Sequence, residues 1–235
     1  MYRALMGDGS ELGLSFSYAE QQTSGGIAQA FIIGRNFVGS DSVTLILGDN
    51  IFYGQGLSGL FQQAVAENKG ATIFGYLVKD PERYGVPEFD REGQLVAIIE
   101  KPKHPKSSFA VTGLYVYDNQ VLDIATGLKP SGRGELEITD VNMEYLRRGK
   151  LRFTKFGRGV AWLDTGTPDA LLETAQYFAA VERRQGLKVA CLEEVAYRMG
   201  YIEAAQVRML AERYTGDYRT YLQNIASEPA DKNQD

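Results

Sequence analysis

Hydrophobic residues recur along the chain in two alternating patterns, one typical of strands and one of amphipathic helices. Residues 43–47 form a continuous apolar run, which predicts a strand buried on both faces, as in a parallel sheet. Apolar residues then recur at helical spacing over residues 57–65, and residues 72–78 predict the next strand. Together these segments predict a strand–helix–strand unit of roughly 30 residues, the usual size of a βαβ crossover.

The rest of the chain continues the alternation and then changes to helix alone. Further strands are predicted at residues 85–89, 94–99, 111–117, 151–156 and 160–163, with a hairpin turn at 90–93. Helical spacing marks segments around Ile138 and Leu171, and roughly the last 40 residues are predicted to be helical. The pattern therefore predicts an α/β fold with a mixed sheet and a helical C-terminal appendage. We expect a core at residues 1–190, a helical segment at 191–227 and a frayed tail at 228–235.

Composition excludes several classes of protein. The 235 residues carry a net charge of −5, so no overall basic field exists to bind nucleic acid. Purely apolar runs stay far short of the ~20 residues that cross a bilayer. The single histidine, His104, excludes His-rich metal sites and makes a Ser–His–acid triad improbable. The single cysteine, Cys191, excludes an intrachain disulfide and fits a reducing compartment.

Two aspartates follow apolar strands at similar places in the pattern. Asp49 comes directly after the strand at 43–47, and Asp164 directly after the strand at 160–163. Ligands of open α/β sheets bind outside the carboxyl ends of strands, and carboxylate oxygens suit Mg²⁺. Taken alone, Asp49 also fits a turn in which its side chain hydrogen-bonds its own backbone. Taken alone, Asp164 also fits a segment that leads into a helix capped by Thr165 or Thr167. Their matched settings are explained most simply by one cation bound from both sides.

Two further segments carry charges suited to a phosphorylated ligand. Glu100 and Lys101 close a predicted strand, where the acid can accept hydrogen bonds from sugar hydroxyls and the ammonium can hold a phosphate. A solvated pair at an exposed strand end is the alternative. Arg133 precedes a predicted helix, where it could bind phosphate in a bidentate manner, or could lie in a surface loop.

Residues 54–59 match the G-x-G-x-x-G dinucleotide fingerprint, with Asp80 at a fitting distance downstream. The fingerprint requires its first glycine to follow the strand directly, whereas residues 49–53 separate Gly54 from the predicted strand. A dinucleotide-dependent oxidoreductase is therefore the remote alternative.

Eight collinear segments together resemble the sugar nucleotidyltransferase family, and within it the enzymes that form dTDP-glucose. The resemblance extends from about Gly7 to Ile225. The segments are residues 7–10, 26–31, 47–54, 80–86, 100–102, 111–115, 133–139 and 161–167.

The resemblance implies a Rossmann-like fold, Mg²⁺ as cofactor, a cytoplasmic location and a homotetramer. The implied substrates are dTTP and glucose 1-phosphate. The family's metal ligands correspond to Asp49 and Asp164, and its catalytic cations to Lys101 and Arg133. The implied substrate-binding positions are Gln21, Gly26, Asn50, Gly85, Glu100, Lys101, Val111, Tyr115 and Arg133.

The chain departs from the family pattern in two places. Thr23 stands where the family often has proline, and Gly25 lies near a position where it has aspartate. Family members also carry a Gly-rich loop and a Lys-bearing segment, which cradle the triphosphate. In the family these lie ahead of the position that matches Met1, in a region of roughly 60 residues, or two βα units. Two expectations follow: a thymidylyl-transferring enzyme, or a non-catalytic chain that binds sugar phosphate or assembles with full-length subunits.

Overall fold

A computed structural model describes residues 2–228 of the chain, so residues 229–235 of the predicted frayed tail lie outside the described part. The chain divides into two compact units, residues 19–172 and residues 2–18 with 173–228. The boundary between residues 172 and 173 differs from the predicted boundary, which lies between residues 190 and 191. Within residues 2–228, no helix combines the length and apolar character needed to cross a membrane.

The larger unit contains one four-stranded sheet and two strand pairs. The four-stranded sheet has the order β1-β6-β3-β7, in which β3 and β7 run parallel and the other neighbours antiparallel. Strands β2 and β8 form one antiparallel pair, and β4 and β5 form the other. The strands are β1 (Val43–Ile46), β2 (Asn50–Gly54), β3 (Ala71–Leu77), β4 (Gly85–Phe89), β5 (Leu95–Glu100), β6 (Phe109–Tyr117), β7 (Leu151–Lys155) and β8 (Val160–Asp164).

Helices separate many of the strands and make up most of the chain after β8. Short 3₁₀ turns lie at Ser10–Leu12 and Pro81–Arg83. The helices are α1 (Tyr2–Met6), α2 (Gln29–Ile33), α3 (Arg35–Val38), α4 (Leu57–Ala66), α5 (Val121–Gly127), α6 (Ile138–Arg147), α7 (Pro168–Gln185), α8 (Leu192–Arg198), α9 (Ala204–Ala211) and α10 (Gly216–Ile225). The mixed α/β architecture predicted from the pattern is confirmed.

The environment of β1 differs from the sequence expectation. Burial alternates along this strand, and Ile46 is 55% exposed, so β1 is not buried on both faces. Strands β1 and β3 do run in the same direction, because each pairs antiparallel with β6, which lies between them. The predicted crossover is thus present, but a strand from later in the chain is inserted between its two members.

Strand β2 was not predicted, and it changes the setting of the glycine-rich segment. Gly54 is the last residue of β2 and α4 begins at Leu57, so a strand does precede the first glycine directly. The expectation that residues 49–53 separate Gly54 from a strand was therefore wrong. Strand β2 nevertheless pairs only antiparallel with β8 within residues 2–228, whereas the dinucleotide fingerprint belongs to a parallel βαβ unit.

The core of the larger unit lies on both faces of the four-stranded sheet. Successive residues of β6 point to opposite faces, so Tyr115 and Tyr117 join one hydrophobic cluster, and Leu114 and Val116 join another. The first cluster also contains the buried face of α6. The second contains Phe74 and Phe156, whose rings stack with centroids 5.1 Å apart.

The smaller unit has its own core, built from α8, α9 and α10 with Leu12 packed against them. The buried carboxylate of Glu193 accepts hydrogen bonds from the Tyr214 and Tyr218 hydroxyls, each over 2.8 Å. Glu11 forms an ion pair with Arg213. The contacts of Glu11 and Leu12 explain why residues 2–18 belong with the C-terminal helices.

Candidate active site

The antiparallel pair β2–β8 brings the two predicted metal ligands to one place. Asn50 at the start of β2 lies opposite Asp164 at the end of β8, and Asp49 immediately precedes Asn50. Thr165 extends the pairing, since its N–H and its hydroxyl both donate to the backbone oxygen of Asp49, over 2.8 and 2.9 Å. The register of the β2–β8 pair therefore brings Asp49 and Asp164 next to each other.

The two carboxylates border one small space beside Gly166. Asp164 Oδ1 accepts the Gly166 N–H over 3.0 Å. A Cβ added to Gly166 would lie 3.1 Å from Asp164 Oδ1 and 3.5 Å from Asp49 Oδ2, so only glycine leaves this space open. Two carboxylates facing one gap fit Mg²⁺, which takes one or two protein carboxylates and completes its shell with water and substrate phosphates. Within residues 2–228, no cluster of three or more His, Cys, Asp or Glu side chains is arranged to hold a metal.

The side chain of Asn50 is held in one orientation. Its Oδ1 accepts the Trp162 indole N–H over 2.7 Å and the Gly113 backbone N–H over 3.0 Å. Both donors point at the same atom, which identifies that atom as the amide oxygen. Asn50 Nδ2 donates to Asp49 Oδ1 over 2.8 Å, and the amide therefore fixes the neighbouring carboxylate.

A cavity of about 160 Å³ opens beside this network. Glu100 and Thr139 form part of its wall, and the Thr139 hydroxyl donates to Glu100 Oε2 over 2.6 Å. Gly85 lies opposite Glu100 in the β4–β5 pair, and a Cβ there would approach Thr139 Oγ1 to 3.3 Å and Glu100 Oε2 to 3.5 Å. A larger residue at position 85 would therefore crowd the polar wall.

Lys101 lies where the cavity meets a wider opening bordered by Asp49 and Asp164. Its backbone has φ of 44°, the left-handed region that non-glycine residues seldom adopt, and its N–H donates to the Tyr84 oxygen over 2.9 Å. This turn ends β5 and places the exposed lysine at the cavity mouth. Backbone strain of this kind often accompanies functional positions.

Two tyrosines of the cavity wall remain neutral phenols near pH 7. Burial and the negative charge of Asp164, which also shares a hydrogen bond with the phenol, raise the pKa of Tyr84 to about 12. The Tyr84 ring meets Trp162 edge-on at 5.2 Å. Burial, with a smaller effect of Glu100, likewise raises the pKa of Tyr115. Both hydroxyls can therefore donate hydrogen bonds to a ligand or to a neighbouring carboxylate.

Most of the site residues expected from the sequence line this one cavity. They are Asp49, Asn50, Gly85, Glu100, Lys101, Val111, Tyr115 and Asp164. Arg133, Gln21 and Gly26 do not border it.

Arg133 is bound by carboxylates. Its Nε and one Nη lie 3.1 and 2.8 Å from the two oxygens of Glu137, and the same Nη lies 3.5 Å from Glu100 Oε1. These hydrogen bonds and charges raise the pKa of Arg133, which stays protonated. Its expected contact with substrate phosphate stays a prediction.

Gln21 and Gly26 belong to a loop that packs on the segment before α6. Gln21 Nε2 donates to the Gly26 oxygen over 3.1 Å. Gly26 has φ of 92°, and a Cβ there would lie 2.4 Å from the Leu136 oxygen. Leu136 in turn donates to the Gly25 oxygen and accepts from Ala28 N–H. Position 26 therefore requires glycine, because of its positive φ and its close approach to the Leu136 backbone. The expected contact of Gly26 with the nucleotide stays a prediction.

Sequence reasoning missed five polar or aromatic residues of the cavity wall: Arg83, Tyr84, Thr139, Asn142 and Trp162. Trp162 could have been found, because it lies two residues before Asp164 and strand residues at that spacing share a face. Thr139 and Asn142 are three residues apart on α6, so they also share a face, but only the apolar positions of this helix were considered.

Comparison with known proteins is consistent with this geometry. Residues 1–180 match the nucleotidyl transferase family. The glucose-1-phosphate thymidylyltransferase of Xanthomonas campestris pv. campestris strain B100 is 50% identical over 231 residues, which cover 98% of this chain and 78% of that protein. The protein of the same name from Mycobacterium tuberculosis strain H37Rv is 52% identical over 221 residues, covering 92% of this chain and 76% of the relative.

Solved structures have the same fold. A Bacillus anthracis crystal structure assigned as a glucose-1-phosphate thymidylyltransferase, in complex with sucrose, has a TM-score of 0.66 and 42% identity. It aligns with 74% of this chain and 70% of its own. A UDP-glucose pyrophosphorylase complexed with UDP-glucose has a TM-score of 0.64 at 20% identity, with 71% and 67% covered, and supports the fold alone.

Proposed function

Because this chain belongs to the nucleotidyl transferase family, we propose that it transfers a thymidylyl group from dTTP to glucose 1-phosphate, giving dTDP-glucose and pyrophosphate. The observation that carries the proposal is the cavity itself, in which Glu100 and Asn50 offer polar groups suited to a sugar while Asp49 and Asp164 face one gap at its mouth. A sugar in the cavity would place its phosphate toward Lys101 and the two aspartates.

The reaction requires a bond exchange at phosphorus and no proton transfer. An oxygen of the sugar phosphate forms a bond to the α-phosphorus of dTTP, while the bond from that phosphorus to the oxygen bridging the β-phosphate breaks. Pyrophosphate leaves with the electron pair. The nucleophile is already ionised near pH 7, because the second pKa of a phosphate monoester is about 6. Catalysis then depends on positioning and on neutralisation of charge.

The chain's own residues divide these tasks. Glu100 accepts from Thr139 on Oε2 and keeps lone pairs for sugar hydroxyls. Lys101 holds the phosphate by its point charge at the cavity mouth. Asp49 and Asp164 would hold Mg²⁺, which when bound supplies positive charge against the phosphates of both substrates. Asn50 keeps Asp49 oriented through its hydrogen bond.

Pyrophosphate release in the presence of dTTP, glucose 1-phosphate and Mg²⁺ tests the proposal. We expect turnover that requires both substrates and is abolished by EDTA. Replacement of dTTP by UTP, and of glucose 1-phosphate by galactose 1-phosphate, measures base and sugar preference. Binding of glucose 1-phosphate is followed separately by fluorescence of Trp162, the only tryptophan of the chain. Binding without turnover would contradict the catalytic proposal and favour the non-catalytic alternative.

We also expect a homotetramer in the cytoplasm, as the family resemblance implies. The single cysteine, which is buried, is compatible with a reducing compartment. Light scattering coupled to size-exclusion chromatography measures the assembly, and a monomer over the working concentration range would contradict the expectation. Cell fractionation with an antibody against the chain measures the compartment, and recovery in the membrane fraction would contradict it.

A further inference from the structure

Asn142 is a buried amide that the mechanism above does not use. It lies on α6, is 1% exposed and borders the cavity beside Thr139. Its Oδ1 accepts a hydrogen bond from the Tyr117 hydroxyl over 2.6 Å. This length is typical of an O–H donor to an oxygen and shorter than the usual 2.9–3.0 Å from an N–H donor. The atom facing Tyr117 is therefore the amide oxygen.

The other half of this amide lacks a protein partner. Within the described residues, the hydrogen bond to Tyr117 is the one bond that Asn142 makes through its side chain, and Nδ2 meets no acceptor. Nδ2 is not fully enclosed, because within residues 2–228 Thr112 Oγ1 is the one side-chain nitrogen or oxygen that is both fully enclosed and without a partner. Two N–H groups of a nearly buried side chain thus remain unused where the residue borders the cavity. Buried amide donors are costly unless a partner accepts them.

The surroundings of Asn142 determine which partner would fit. Tyr117 is fully buried and does not border the cavity, so it fixes the amide from behind. Thr139, one turn earlier on the same face, already donates to Glu100. The wall therefore combines a carboxylate acceptor at Glu100 with an amide donor at Asn142. A hydroxyl group suits such a wall, because its oxygen can accept from one residue while its hydrogen is donated to the other.

We propose that Asn142 is a specificity-determining residue, which donates an N–H to a hydroxyl oxygen of the sugar phosphate bound in the cavity. This inference rests on the proposed function and names one contact of the same site. A site that is built to hydrogen-bond a substrate hydroxyl discriminates against analogues that lack it, because its own buried polar group is then left unpaired.

The test compares Asn142→Ala with Tyr117→Phe. Asn142→Ala removes the donor to the ligand as well as the bond to Tyr117, whereas Tyr117→Phe removes only the second. We expect Asn142→Ala to raise the KM for glucose 1-phosphate about 3–10-fold, the worth of one hydrogen bond, with a smaller change in kcat. Tyr117→Phe keeps the donor to the ligand but no longer fixes the amide, so we expect it to raise KM by less than Asn142→Ala does. Asn142→Asp keeps an acceptor for Tyr117 and serves as the second variant if Asn142→Ala does not fold.

The four monodeoxy analogues of glucose 1-phosphate supply a readout that a purely structural role would not change. For the analogue that lacks the contacted hydroxyl, wild type and Asn142→Ala should have equal KM values, while the other three analogues keep the difference. The dissociation constants, measured by Trp162 fluorescence, should follow the same pattern. A uniform loss across all analogues, or an equal loss in Tyr117→Phe, overturns the inference alone. Wild-type protein that neither binds nor turns over glucose 1-phosphate overturns the proposed function together with it.

Discussion

Trp162 donates its indole N–H to the side-chain oxygen of Asn50 over 2.7 Å and so joins residues that are 112 positions apart. The same oxygen accepts the Gly113 N–H, which leaves the Asn50 amide nitrogen to hold Asp49. One side-chain amide thus connects strands β8, β6 and β2 at the place where two carboxylates meet. Its orientation determines that of the first carboxylate.

Replacement of Trp162 by Phe should loosen this network. The variant keeps an aromatic ring beside Tyr84 but leaves Asn50 Oδ1 with one donor, which costs about 1 kcal/mol of unfolding free energy plus any lost packing. We expect a higher KM for glucose 1-phosphate, because Asn50 is no longer held in one orientation. Urea unfolding followed by circular dichroism measures stability. Tyr76→Phe, which keeps its ring contact with Trp162, is the control. Unchanged stability and KM in Trp162→Phe would show that the indole N–H is unimportant.

Asp164→Asn and Asp49→Asn should each lower kcat by about 10²-fold or more, the typical effect of losing one charge-stabilising group. The dissociation constant of glucose 1-phosphate should change much less, because the aspartates lie at the cavity mouth. Steady-state kinetics over a series of Mg²⁺ concentrations measures the effect. Asp169→Asn, an exposed residue in the first turn of α7, is the matched control. Equal losses in kcat and in sugar-phosphate binding would argue against a metal role.

Arg133→Ala should destabilise the protein in a pH-dependent way. Burial opposes the charge of Glu137, but hydrogen bonds from Arg133 and Ser131 outweigh it and lower the Glu137 pKa below its ordinary 4.5. A lowered pKa in the folded state contributes stability above pH 4.5, and this contribution is lost as the pH falls through the lowered value. The variant should therefore lose up to about 1 kcal/mol at pH 7 and progressively less below pH 4.5.

Thermal unfolding of wild type and Arg133→Ala between pH 3 and 7 checks this expectation. Arg152→Ala, which removes the exposed pair with Glu67, is the control. Steady-state kinetics separates the two roles considered for Arg133. A raised KM without any loss of stability would favour contact with the substrate phosphate over the structural role.

Gly26→Ala should be more destabilising than Gly134→Ala. Both glycines have positive φ, 92° and 78°, so alanine is strained at either position. A Cβ at Gly26 also clashes with the Leu136 backbone, whereas nothing lies within 4 Å of one at Gly134. The extra cost should be about 1–3 kcal/mol, the usual range for overpacking. Differential scanning calorimetry measures both variants. Equal melting temperatures would contradict the close approach of Gly26 to Leu136.

Much of the fold could be predicted because strand and helix periods are local properties. The strands at residues 85–89 and 111–117 appear close to the predicted bounds, and the turn between β4 and β5 forms where the sequence placed it. Strand β2 could not be predicted in the same way. It is held by pairing with β8, more than 100 residues later, so its stability depends on a partner that local patterns do not reveal.

The candidate site, like the fold, could be predicted from the sequence only in part. Residue chemistry at strand ends was enough to select Asp49, Asp164 and Glu100, and the resemblance added Asn50 and Gly85. All five line one cavity. Arg133 shows the limit of this reasoning. Its charge suited a phosphate, but its position beside Glu137 depends on the backbone between them and on the packing of α6.

The sequence by itself determined the alternation of strands and helices, the hard-oxygen ligands and the charged groups suited to a sugar phosphate. These properties follow from side-chain chemistry and from spacing along the chain. Only the tertiary structure decided that Asp49 and Asp164 face one gap beside Gly166, and that Asn142 keeps unused donors at the cavity. Both relationships depend on strand register and on the direction in which a helix face points. Such geometry arises from contacts between residues far apart in the chain.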